Sequence, residues 1–164
     1  MPALEKGDFA AARPPLERAC DAREPNGCYL LGRTLLALDQ YEKAVRVLEP
    51  LVSTDPSPGR VADALGLCYE ALRRTADAEA MYKKAGAAAQ HRYGRFLIRE
   101  GRAADAVKAL AAVETPSGRF ELGRALYQLG RLAEAENALE AAGSLPEAQA
   151  LLAKVRRRRA PGSP

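Results

Sequence analysis

The sequence has no tryptophan, three phenylalanines, one histidine and three cysteines. Each shortage closes off a class of protein. A β-sheet core draws on aromatic and β-branched side chains, whereas alanine and leucine dominate here, and both favour helices. His91 is the only histidine, so neither a catalytic triad nor a metal pair can be built around a second one. Three cysteines are too few for a disulfide scaffold, and they lack the Cys-x-x-Cys spacing of a structural metal site. No apolar run is long enough to span a membrane. The start, with Pro2, Glu5, Lys6 and Asp8, has no apolar core of a signal peptide, which points to the cytoplasm. A phosphate-binding glycine loop and a nucleophile elbow are also missing, and the carboxylates are scattered. Neither catalysis nor a cofactor or metal is expected.

Charge is nearly balanced outside one segment. The formal net charge is +4, and the run Arg156 to Arg159 holds four positive charges. The high pI is therefore weak support for a nucleic-acid partner. At a helix C-terminus such a run suits the helix dipole and reads as a solvated end.

What is present is a repeat. Four segments carry a bulky residue followed by glycine: Leu31-Gly32, Leu65-Gly66, Tyr93-Gly94 and Leu122-Gly123. Three residues after each glycine comes a large apolar residue, Leu35, Tyr69, Leu97 or Leu126. Alanine follows twelve residues after the glycine, at Ala44, Ala78, Ala106 and Ala135. Four residues further stands Leu48, Tyr82, Leu110 or Leu139. The glycines are 34, 28 and 29 residues apart. Apolar residues at such steps form one face of a helix. Small residues at one phase mark places where two helices cross, because a helical glycine otherwise costs about 1 kcal/mol against alanine. Gly101 and Gly130 fall where a helix must stop.

This pattern resembles the tetratricopeptide repeat family over nearly the whole chain. The best match is 25–58, where Leu31, Gly32, Leu35, Tyr41, Ala44, Leu48 and Pro56 all fall in phase. The family's first tryptophan position instead holds Cys28, Ala62, Gln90 and Arg119. The resemblance implies an all-α fold, a right-handed superhelical solenoid of antiparallel helix pairs. It divides the chain into a partial repeat at 1–24, repeats at 25–58, 59–86, 87–115 and 116–145, and a capping helix at 146–159. A disordered tail is expected at 160–164. The partial repeat keeps only a stub of its first helix, Pro2 to Lys6. A break is expected at Pro14-Pro15, since proline inside a helix costs roughly 3 kcal/mol.

The resemblance further implies a concave groove lined by the first helices. Carried onto this sequence, its ligand-facing positions include Tyr29, Arg33 and Arg60, then Arg92, Arg95 and Arg99, then Phe120, Arg124 and Tyr127. Asp63, Glu70 and Glu121 share that face. Arginine holds the ninth repeat position in three copies, at Arg33, Arg95 and Arg124. Guanidinium groups bind carboxylates in bidentate fashion, and aromatic side chains anchor interfaces. The expected function is a protein-interaction adaptor taking a peptide or partner segment, an acidic one by this chemistry. The competing reading is that these arginines pair with acids of the chain itself. A chaperone C-terminal tail is not expected, because the family's tail clamp uses Asn at the ninth position. Two alternatives come from other classes. One is self-assembly into a homodimer through the N-terminal helix, whose Phe9 and Leu16 have no cap. The other is nucleic-acid binding, disfavoured by the acids on the same face.

Cys20 and Cys28 resemble the cysteine pair of Sel1-like repeats, in which the end of one helix is bridged to the start of the next. Two readings stand side by side: a disulfide, or two small buried thiols between helices. A bridge would imply a periplasmic or secreted location. Cys68, inside a helix beside Leu67, reads as core.

Overall fold

The computed structural model describes residues 6–160. All regular elements among them are helical, as the repeat pattern requires. They are α1 (Phe9–Asp21), α2 (Pro25–Ala37), α3 (Tyr41–Leu48), α4 (Pro58–Ala71), α5 (Thr75–Ala85), α6 (Gln90–Arg99), α7 (Ala103–Leu110), α8 (Pro116–Gln128), α9 (Leu132–Ala141) and α10 (Pro146–Arg159). Short 3-10 turns cover Glu49–Val52 and Gly86–Ala89. The helices form two compact units, Met1–Ala89 and Gln90–Pro164. In the first unit α1 to α5 pack each against the next; in the second, α6 to α10 do the same, and α8 also meets α6 and α10.

The small-to-large spacing explains how each helix pair closes. A Cβ added to Gly32 would lie 2.4 Å from Leu48, one at Gly66 2.6 Å from the Tyr82 ring, one at Gly94 2.4 Å from Leu110, and one at Gly123 2.6 Å from Leu139. In every copy the large residue of the second helix fills the space left by the glycine of the first. The alanines Ala44, Ala78, Ala106 and Ala135 are fully buried beside it. Close-packed interiors leave no room for an extra methyl there.

The turns inside these pairs share one geometry. Asp39, Arg73, Gly101 and Gly130 have φ of 56°, 60°, 74° and 72°. The amide after each of them, at Gln40, Arg74, Arg102 and Arg131, donates to the carbonyls of Leu35, Tyr69, Leu97 and Leu126 at 2.8, 2.8, 2.8 and 3.0 Å. This is the left-handed cap that ends a helix by satisfying its last carbonyls. Glycine fills it in two copies; Asp39 and Arg73 carry the steric cost of a side chain there.

The expected break at Pro14-Pro15 does not occur: α1 runs through both prolines. Asp8 caps it by accepting from the Ala11 amide at 3.0 Å. Ala12 and Leu16, on either side of the pair, are buried, and this packing against α2 helps offset the backbone bonds the prolines cannot make. Leu16 is thus covered within the chain, and Phe9 is half-buried. Nearly all of the expected stub at 2–6 and of the tail at 160–164 lies outside the described residues.

Candidate functional site

In the first unit, Tyr29 and Arg33 stand on α2 and Arg60 on α4. They come together around the tyrosine ring. The Arg60 guanidinium lies 4.2 Å from the ring centroid and that of Arg33 6.0 Å. Arg60 is already engaged. Its Nη2 and Nε donate to the two carboxylate oxygens of Asp55 at 2.9 and 3.2 Å, and its Nη1 donates to Asn26 Oδ1 at 3.3 Å. The Asp55 carboxylate is fully buried and also accepts from the Ser57 amide at 2.7 Å. The bond from Arg60 holds the Asp55 carboxyl below the usual carboxylate range. Arg60 therefore fastens the turn before α4 to that helix, and its charge is already paired within the chain. Arg33 is exposed, and among the described residues no ion pair occupies it.

In the second unit, Arg92, Arg95 and Arg99 stand on α6, and Phe120, Arg124 and Tyr127 on α8. The centre of this face is Glu121, 7% exposed. Arg124 Nη1 donates to Glu121 Oε2 at 2.7 Å, and its guanidinium lies 5.7 Å from the Phe120 ring. Burial pushes the Glu121 carboxyl up, against the opposing pull of Arg124, Arg95 and Arg99. Of these three cations, Arg124 is the one bonded to the acid; the other two act on it through charge. Arg95 is exposed and makes no direct ion pair among the described residues; Arg99 is exposed and Arg92 half-buried. Tyr127 is half-buried, with the Arg158 guanidinium 5.5 Å from its ring.

The two arginine readings divide by position. Arg60 and Arg124 pair within the chain, while Arg33 and Arg95 present their charge to solvent. Sequence reasoning placed Glu121 on the face but missed its burial, and it missed Asp55 altogether. The available signal for Asp55 was Asp55-Pro56-Ser57-Pro58, an acid two residues ahead of the N-cap of a proline-started helix.

The basic run at the C-terminus is not simply solvated. Arg156 bonds Glu136 at 2.9 Å and Glu140 at 2.6 Å, and Arg159 also pairs with Glu136. These contacts tie α10 to α9, where Leu152 and Val155 are buried. An open depression of about 270 Å³ lies between α8 and α9, lined by Leu122, Leu126, Ala138 and Ala141 with Arg119, Glu134 and Asn137 at its polar margin. None of these belongs to the face expected to meet a ligand.

Cys20, the last but one residue of α1, and Cys28, in the first turn of α2, form a disulfide with Cα atoms 4.4 Å apart. Cys68 is a buried free cysteine whose thiol is pushed up to about 12 by burial. No helix among the described residues is long and apolar enough to cross a membrane.

Comparison with known proteins gives one consistent picture. Models described as tetratricopeptide repeat match residues 3–68 and 117–149, together more than half of the chain. A thermophilic TPR protein of Thermus thermophilus is 25% identical, with 93% of each chain covered and a TM-score of 0.69. MamA is 19% identical over 93% of this chain and 95% of its own, with a TM-score of 0.71. TPR-like repeats from Podosopora anserina are 24% identical over 94% of this chain and 92% of theirs, at 0.67. The last two show the fold alone. No curated protein matches the sequence.

Proposed function

The chain belongs to the tetratricopeptide repeat family, whose repeats serve protein interaction in general, and on that premise we propose that it is a binding adaptor whose second unit takes an acidic peptide segment. The observation that carries the proposal is Arg95, exposed on α6 with no ion pair among the described residues, while the equivalent Arg124 on α8 is already bonded to buried Glu121. A ligand carboxylate arriving beside Arg95 meets a planar fork of N–H donors, with Phe120 and Tyr127 nearby on α8 to take apolar side chains. Glu121 serves the face by holding Arg124 in place, not by binding. Arg33 offers a comparable exposed charge beside Tyr29 in the first unit.

The test is retention of partners from a lysate by immobilised protein and by its Arg95→Glu variant, with retained proteins identified by mass spectrometry. Arg124 is the wrong position to reverse, since a second acid would sit against buried Glu121. The proposal predicts a partner retained by the native chain and lost with Arg95→Glu, at unchanged helix content. Identical retained sets would refute it. Material that is only nucleic acid and washes off in salt would favour the electrostatic alternative.

A further inference from the structure

The disulfide and the two prolines of α1 act on the same element. Among the described elements α1 packs against α2 alone. It buries just Ala12 and Leu16 fully. Pro14 and Pro15 lie inside it, so two amides that would bond the preceding turn are missing. Against these weaknesses stand a tight crossing, where a Cβ on Gly27 would lie 2.7 Å from that of Ala19, and the Cys20–Cys28 bond, which closes the α1–α2 turn over a sequence separation of 8. Arg23, in that turn, has a φ of 60°, a conformation costly for a side chain.

We propose that this bridge is a redox-controlled clasp: when a dithiol reduces it, α1 opens away from α2 while α4 and α5 stay folded. The exchange balances. The dithiol gives two electrons and two protons, becomes a cyclic disulfide, and leaves one thiol on Cys20 and one on Cys28. Cys68 does not take part, being buried and a poor thiolate. The bridge holds the C-terminal end of α1 to the first turn of α2, so losing it releases the helix at the end nearest its seat. Local openings of this kind draw on elements with few buried contacts.

Hydrogen exchange read by mass spectrometry on the whole chain, with and without dithiothreitol, tests the clasp. A loop this short predicts that protection across 9–21 falls by up to roughly 80-fold on reduction, with 58–71 unchanged. A Cys20→Ser/Cys28→Ser variant should match the reduced protein without reductant. Adding Pro14→Ala/Pro15→Ala to that variant should return protection to α1, because the missing amides are restored. Three results would overturn the proposal: equal protection of α1 in both redox states, loss of protection at 58–71 along with α1, or free thiols at both positions after exposure to oxidant.

Discussion

Replacing Gly66 with alanine pits two effects of opposite sign against each other. Helix propensity alone favours the change by about 1 kcal/mol. The new Cβ, however, would stand 2.6 and 2.7 Å from two carbons of the Tyr82 ring. That ring cannot retreat: Tyr82 is 1% exposed, and its hydroxyl donates to Glu70 at 2.6 Å. Overpacking costs about 1–3 kcal/mol, and a fixed aromatic places this site near the upper end. The net expectation is a loss of about 2 kcal/mol. The sign should reverse once the ring is gone. Tyr82→Ala alone costs about 3–5 kcal/mol, and in that background Gly66→Ala should be neutral or gain up to about 1 kcal/mol. Urea unfolding followed by far-UV circular dichroism on the four proteins of the cycle measures this. If Gly66→Ala stabilises the native background, or costs the same in both, the glycine is not there for the ring and the account of the repeat fails.

Arg73→Gly should stabilise by about 1 kcal/mol by relieving a left-handed arginine, whereas Gly101→Ala should lose about as much; both are read by the same unfolding. Asp55→Asn should cost about 1–3 kcal/mol at neutral pH. The Asp55 carboxyl is lowered in the fold, so its contribution is present above the ordinary carboxylate range and lost as pH falls through the native value. The deficit of the variant should therefore shrink in acid, and a deficit independent of pH would refute the assignment. Glu121 behaves oppositely. Its raised carboxyl keeps a proton in the fold that the unfolded chain releases, so stability falls as pH climbs from the ordinary glutamate value through the raised one. Glu121→Gln should abolish that fall, and stability curves across the acid range would show it.

Much of the fold was legible because the repeat encodes a contact within each helix pair. A glycine and a large residue at fixed spacing meet across two neighbouring helices, and Gly32 with Leu48 or Gly94 with Leu110 can be paired by counting. What escaped the sequence depends on distances that counting does not supply. Pro14 and Pro15 read as a break because local cost was visible while the packing of Ala12 and Leu16 was not. The Arg156–Arg159 run read as solvated because Glu136 and Glu140 reach it only through the crossing of α9 and α10. The face on α6 and α8 was half legible. Arg95 and Arg124 share a repeat position, yet one faces solvent and the other serves a buried acid, and the burial of Glu121 makes the difference.

Titration of the isotope-labelled protein with a glutamate- and aspartate-rich peptide, followed amide by amide in nuclear magnetic resonance spectra, tests the adaptor reading most directly. The account predicts saturable shifts centred on Arg95, Arg99, Phe120 and Arg124, weakened by Arg95→Glu and missing with a lysine-rich control peptide. Shifts absent from that face, or equal with the control peptide, would contradict it.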